Sequence, residues 1–148
     1  MKDGDRVFID TNILLRANIP TAPFHQPARK AIENLWGEGA ELWISRQVLR
    51  EYIVNVSREQ GLFQPMPPAT IEARVSYFQS VFRIADDNQD TTKNLLKLLQ
   101  EIKFGGKQVH DANIVAAMLT YNITHLLTLN VDDFNRFSAY ITLLPLET

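Results

Sequence analysis

Val7-Phe8-Ile9-Asp10-Thr11-Asn12 sets a continuous apolar run against an acid that stops it. A strand covered by helices on both faces reads this way, because it has no solvent side to show as alternation. Four similar runs follow: Leu42-Trp43-Ile44, Val81-Phe82-Arg83-Ile84, Leu126-Leu127-Thr128-Leu129 and Ile141-Thr142-Leu143-Leu144. Between them the apolar residues take helical spacing. Ala28, Ala31, Ile32, Leu35 and Trp36 make one stripe, and Val48, Leu49, Tyr52, Ile53 and Val56 make another. Leu95, Leu96, Leu98, Leu99 and Ile102 make a third, and Ile114, Val115, Met118 and Leu119 a fourth. Pro68 opens a further helix through Ile71 to Tyr77. Strands separated by helices of this length imply parallel crossovers, hence an α/β fold: a three-layer α/β/α sandwich with a central parallel sheet. The Pro-interrupted stretch from Arg58 to Asp86 is the part whose packing the pattern specifies least.

A chain of 148 residues, 45% of them hydrophobic, can close one sizeable core, so a single domain over 1–148 is expected. The formal net charge of -2 gives no overall pull toward a phosphate polymer, and any nucleic-acid contact has to be local. The absence of cysteine excludes disulfides, zinc-thiolate sites, iron-sulfur clusters and thiol nucleophiles together. No apolar run is long enough for export or for crossing a membrane, which makes a cytoplasmic location the expectation. The sequence has no GxxxxGK[ST] loop and no GxSxG elbow, and His25, His110 and His125 form no compact metal motif.

Ligands of open α/β sheets gather beyond the carboxyl ends of the strands. Asp10 stands at such an end, where a short acid suits both a helix N-cap and a site, with Thr11 and Asn12 shaping the turn. Ser45 can cap the helix that begins near Arg46, and Glu51 then falls in its second turn, off the centre of the apolar stripe. Taken alone, Glu51 is more plainly a solvated residue beside Arg50 and Arg58. Asp111 shares a helix face with Ile114, Val115 and Met118, and an acid turned inward needs a partner or an ion. The other account of Asp111 is a helix-start acid binding free backbone N–H groups. His110 beside it could support it or contact substrate.

After the fourth run come Asn130, Asp132 and Asp133, offering a neutral carbonyl ligand and two charges, at least one of them a turn or cap residue before Phe134. Carboxylates gathered at one sheet edge repel and raise one another's pKa, and a divalent cation reverses that cost. An oxygen-only donor set suits Mg²⁺ or Mn²⁺ rather than zinc, and such an ion serves phosphodiester hydrolysis. Arg46 and Arg50, four residues apart, are the expected backbone-phosphate contacts, with Lys103 and Lys107 around Gly105-Gly106 as further candidates; ordinary solubility charge is the alternative for all four. Trp43, Tyr52, Phe78, Phe134 and Phe137 are assigned to packing.

Four stretches together resemble the PIN-domain nucleases, and specifically the VapC-type toxin ribonucleases of bacterial and archaeal toxin-antitoxin pairs. They are Val7 to Asn12, Ser45-Arg46-Gln47-Val48-Leu49-Arg50-Glu51-Tyr52, His110-Asp111-Ala112-Asn113-Ile114-Val115-Ala116-Ala117, and Leu126 through Phe134. The resemblance implies a PIN-like fold and a hydrolase that uses Mg²⁺, or Mn²⁺ as the alternative, to cut RNA into 5'-phosphate and 3'-hydroxyl ends. It implies that Asp10, Glu51 and Asp111 are the catalytic, metal-holding acids. It also implies a homodimer inhibited by a small protein antitoxin. Asn130 stands where many relatives carry a fourth aspartate, and Asp132 from the next turn would compensate. Asp133 looks like part of a structural Asp-Phe pair and ranks below them. Thr11, Asn12, Ser45, Arg46, Arg50, His110 and Thr128 complete the candidate substrate contacts.

Three rivals remain: a stand-alone RNA-processing nuclease, a noncatalytic RNA- or protein-binding relative, and a phospho-acceptor signalling domain. The last would place its acceptor at Asp86 or Asp87 after a central third strand and a lysine where Pro145 follows the last strand. It leaves the positions of Glu51 and Asp111 unexplained.

Overall fold

The computed structural model describes residues 1–59 and 64–147. Along the chain run β1 (Arg6–Ile9), α1 (Thr11–Asn18), α2 (His25–Gly37), β2 (Glu41–Ser45), α3 (Arg46–Val56), α4 (Pro68–Val81) and β3 (Arg83–Ala85). They are followed by α5 (Gln89–Glu101), α6 (Gln108–Thr120), β4 (His125–Thr128), the short α7 (Val131–Phe134), a 3-10 turn (Asn135–Phe137) and β5 (Thr142–Pro145). The strands make one parallel sheet in the order β3-β2-β1-β4-β5.

This order positions the site. From β1 the chain steps outward to β2 and β3, then returns through α5 and α6 to lay β4 against the other side of β1. Right-handed crossovers put the helices of the outward and returning halves on opposite faces, giving the α/β/α sandwich. The order reverses at β1, so the crevice of the sheet opens beyond the carboxyl ends of β1 and β4. Val7, Phe8 and Ile9 are fully buried, and Phe8 is in register with Trp43 on one side and Leu126 on the other. The apolar runs of β1, β2 and β4 are therefore strands of the sheet interior, with β3 and β5 at its edges.

Local chemistry starts the helices where the sequence places them. Ser45 Oγ accepts from Val48 N at 3.3 Å and caps α3, and Pro68 occupies the first turn of α4. Asn88 and Thr91 form a reciprocal capping box at α5. The five aromatic residues assigned to packing are all buried.

The structure also departs from expectation. Helix α4 runs through Val81, so the third strand is only Arg83–Ala85, and it lies at the sheet edge rather than the centre. The phospho-acceptor reading needed Asp86 and Asp87 after a central strand and loses that support. Helix α3 ends at Val56, leaving Arg58 outside it. Three apolar stripes are wider than the contacts that cover them: Leu98 is buried, but Leu96 and Leu99 are 54% and 46% exposed, and Ile53 is 38% exposed. Trp36 is 40% exposed and stacks on Phe82 at 5.5 Å between ring centroids. Within the Pro-interrupted stretch, residues 60–63 lie outside the described residues, as does Thr148 of the expected domain. No helix among the described residues is long and apolar enough to cross a membrane.

Candidate functional site

Asp10 directly follows β1 and is the N-cap of α1, one of the two roles open to it in the sequence. Its Oδ1 accepts from Thr11 N at 2.8 Å, and its Oδ2 accepts from Thr128 Oγ1 at 2.7 Å and from Asn12 Nδ2 at 3.4 Å. Thr128 is fully buried at the end of β4, and its hydroxyl also accepts from Asn130 N at 3.0 Å. Asn12 Oδ1 in turn accepts from Leu129 N at 3.3 Å, which fastens α1 to the β4 exit. One carboxylate is thus held by both strands that flank the crevice.

Glu51 approaches from α3. Its Oε1 accepts from Thr11 Oγ1 at 2.6 Å and its Oε2 from Gln47 Nε2 at 3.2 Å. Gln47 is buried and fully engaged: Nε2 also donates to His110 O at 2.9 Å, and Oε1 accepts from Asn113 Nδ2 at 2.9 Å. Through Gln47, α3 is pinned to the first turn of α6, which carries Asp111. Gln47 is not legible in the sequence, because a glutamine one turn before an acid carries no signal until a distant helix supplies its partners.

Asp10, Glu51, Asp111 and Asn130 line one pocket of about 430 Å³. Asp10 is only 6% exposed, and burial pushes its pKa up to about 6. The charges of Glu51 and Asp111 push the same way, against the hydrogen bonds from Thr128 and Thr11 that favour the ionised form. Burial likewise raises the Asp111 pKa, helped by the charges of Asp133 and Glu51 and opposed by Arg136 and His110. Among the described residues, no salt bridge involves Asp10, Glu51 or Asp111.

A hard divalent cation fits this donor set chemically: carboxylate oxygens and one amide oxygen, with mutual repulsion that such an ion would relieve. The acids are not drawn into a compact cage. Among the described residues, no group of three or more His, Cys, Asp or Glu side chains is arranged to hold a metal ion. Thr11, Thr128 and Gln47 hold the Asp10 and Glu51 carboxylates by hydrogen bonds instead.

Several other candidates lie elsewhere. Asp132 is exposed, takes a 3.4 Å bond from Asn135 Nδ2, and lines a separate surface recess with Asn130. Asp133, ranked below it from sequence, is the residue whose charge acts on Asp111. Ser45 is buried as the α3 cap and does not line the pocket. Arg46 is tied down on the surface, with Nε donating to Asp86 at 2.8 Å and Nη1 to Gln79 Oε1 at 2.7 Å. Arg50 is exposed outside the pocket lining, and His110 is exposed next to Asp111. Arg16 is the basic side chain that does line the pocket. Its spacing of four from Asn12 was the available signal, since i and i+4 share a helix face.

No curated protein matches the chain closely enough to count as a relative. Among solved structures, the chain is similar to one described as VapBC2 from Rickettsia felis bound to a DNA fragment from their promoter, with a TM-score of 0.68, 22% identity, and 96% of this chain and 99% of that chain covered. It is similar to a toxin-antitoxin complex from Klebsiella pneumoniae at a TM-score of 0.66 and 23% identity, covering 95% and 98%. VapC20 of Mycobacterium tuberculosis, described as a sarcin-ricin loop cleaving toxin, aligns at a TM-score of 0.65 and 19% identity, covering 94% and 99%. Likeness at these identities establishes a shared fold. The PIN domain model matches residues 7–140, nearly the whole span from β1 to the approach to β5, and the chain belongs to the PIN domain family.

Proposed function

We propose that this chain is a divalent-metal-dependent ribonuclease and the toxin of a toxin-antitoxin pair. The observation that carries the reading is the convergence of Asp10, Glu51 and Asp111, from three separate chain segments, on one pocket with no salt-bridge partner among the described residues. Partly buried carboxylates without an ion pair at the reversal point of a parallel sheet are costly unless a cation belongs there.

Asp10 and Asp111 would hold Mg²⁺ or Mn²⁺, with Glu51 binding directly or through water and the Asn130 amide oxygen as a neutral donor. Such an ion, when bound, neutralises charge on a phosphodiester and acidifies water. The chain's own residues supply the rest. Thr128 and Thr11 fix the Asp10 carboxylate, so little reorganisation is needed on binding. Glu51, oriented by Thr11 and Gln47, directs the water that attacks phosphorus in line. The 3'-oxygen departs and is protonated by solvent, leaving a 5'-phosphate and a 3'-hydroxyl. Asn130 in place of an acid lowers the charge available to a second ion.

The similar proteins include a toxin-antitoxin complex and a sarcin-ricin loop cleaving toxin, which supports the same assignment here with a small protein antitoxin as partner; the homodimer rests on the sequence resemblance alone. Incubating the purified protein with cellular RNA and Mg²⁺ or Mn²⁺ tests the chemistry. The expected result is cleavage that EDTA stops and that leaves 5'-phosphate ends. Expression in a bacterial host tests the toxin role: arrested growth relieved by a neighbouring small gene supports it. Unaffected growth with intact RNA cleavage would assign the chain to RNA processing instead.

A further inference from the structure

An acid-lined pocket repels the polyanion it is meant to cut, so a cation has to stand close by. Arg46 and Arg50 are not at the pocket, and among the described lining residues Arg16 is the one basic side chain. Its guanidinium is held in place. Nη1 donates to Pro23 O at 2.9 Å, and the guanidinium carbon stands 5.8 Å from the centroid of the Phe24 ring. The backbone is fixed as well, with His25 Nδ1 2.7 Å from Arg16 O. A carbonyl can only accept, so Nδ1 carries the proton.

Phe24 is the second observation. It adopts a left-handed conformation, φ 63° and ψ 20°, as the residue preceding α2. A bulky residue is disfavoured there, and such strain persists only where the surroundings impose it. Ala28 N donating to Phe24 O at 3.0 Å and His25 N donating to Ala22 O at 3.2 Å do so. The strained conformation does not place Phe24 in the core, because it remains 47% exposed beside the guanidinium. A fixed cation at the pocket and an exposed aromatic ring against it are the two elements single-stranded nucleic acid recognition uses: a planar fork for phosphate and a π-face for a base.

We propose that Arg16 and Phe24 form a nucleotide seat at the rim of the acidic pocket. Arg16 holds a backbone phosphate next to the scissile bond, and Phe24 stacks on the base of an adjoining nucleotide. The ligand is single-stranded RNA, and the seat rests on the ribonuclease reading. Because every base has a π-face, the seat grips the strand without reading its sequence.

Fluorescence anisotropy of a short labelled oligoadenylate tests this, using the Asp10→Asn protein so that the strand stays intact. Arg16→Ala is expected to weaken binding about tenfold and to flatten the dependence of log K on log salt by about 0.7, the share of one phosphate contact. Arg16→Lys should keep the slope. Phe24→Leu should weaken binding about tenfold at an unchanged slope, and that loss should vanish on a strand of abasic sugars. Phe24→Trp should bind at least as tightly as the parent, which guards against a Leu variant that merely misfolds. An unmoved salt slope for Arg16→Ala, an equal Phe24→Leu loss on the abasic strand, or weaker binding by Phe24→Trp would overturn the seat. Metal-dependent RNA cleavage by the unaltered chain with such a result would overturn the seat alone. Absence of cleavage by the unaltered chain would overturn the ribonuclease reading as well.

Discussion

The two ends of the same parallel sheet treat acids in opposite ways. At the amino ends of the strands, Glu41 opens β2 between Arg6 and Arg83, with Oε1 3.3 Å from Arg6 Nε and 3.6 Å from Arg83 Nε, and Trp43 Nε1 donates to it at 3.3 Å. At the carboxyl ends, Asp10 is buried beside Glu51 and Asp111, and hydroxyl and amide donors take the place of cations. The fold pairs Glu41 with two cations and, among the described residues, gives Asp10, Glu51 and Asp111 no ion pair at the crevice. Carboxylates without an ion pair, at the position where ligands of such sheets bind, are the feature on which the proposed cation rests.

The strongest way to break this contrast is to neutralise one acid at each end and measure RNA cleavage. Asp10→Asn and Asp111→Asn are each expected to reduce metal-dependent turnover on the order of 10³-fold or more, as loss of an essential group does. Glu41→Gln should cleave like the parent. Near-normal turnover by pure, folded Asp10→Asn would remove Asp10 from the chemistry and the contrast with it.

Stability should move the other way at Asp10. Its carboxyl is pushed up from 3.8 to about 6, so the folded chain holds that proton more tightly than the unfolded chain does. The folded state therefore loses stability as pH rises from about 4 to about 6, and above that the penalty is fully present. At about 1.4 kcal/mol per pH unit it amounts to about 3 kcal/mol. Without divalent cations at neutral pH, Asp10→Asn should be more stable than the parent by up to that amount, since asparagine also serves as an N-cap. Added Mg²⁺ should raise the unfolding free energy of the parent and not of the variant. Urea denaturation at pH 4 and pH 7.5, with and without Mg²⁺, measures both effects. A variant less stable than the parent at pH 7.5 would contradict the sign.

Much of the fold was legible because β1, β2 and β4 lie in the sheet interior and several helices carry side-chain caps. Val7 to Ile9 and Leu126-Leu127 could only be unbroken apolar runs once helices covered both faces of the sheet. The edge strand β3 was misjudged by two residues, because α4 is apolar up to Val81 and an edge strand with an exposed Arg83 carries little pattern of its own. In the site, Asp10 was visible as an acid ending a buried strand, and Asp111 as an acid on the face of Ile114, Val115 and Met118. Sequence ranks Asp132 above Asp133, yet the charge that acts on Asp111 is that of Asp133; neighbours on a helix point about 100° apart, and only the packing of α7 selects one. Arg16 and Gln47 were missed for a related reason. Their roles depend on how α1 and α3 meet groups far away in the chain, which periodicity within one helix does not report.

Gln47 sharpens the contrast at a smaller scale. It gives Glu51 a neutral donor where Arg6 and Arg83 give Glu41 charged ones. Gln47→Leu leaves Asn113 Nδ2 and His110 O without this partner and releases one Glu51 oxygen. Such a loss costs about 1–3 kcal/mol in stability, and turnover should fall about 10- to 100-fold, as when a group that orients a metal ligand is removed. Weaker Mn²⁺ binding by calorimetry should accompany the fall, which a purely structural defect would not require. Unchanged Mn²⁺ affinity in the folded variant would leave Gln47 with a packing role only.

The smallest effect belongs to Glu41 itself. Arg6 and Arg83 are 38% and 62% exposed and Glu41 is 28% exposed, so water and salt screen their attraction. Glu41→Gln should cost at most about 1 kcal/mol, and less as salt is raised. Its amide can still receive the Trp43 indole N–H, so packing at the sheet edge need not change. If Glu41→Gln instead stabilised the chain as Asp10→Asn is expected to, acids at both ends would be under the same strain. The unpaired charge at the crevice would then reflect the acidity of the molecule as a whole and not a place kept for a cation.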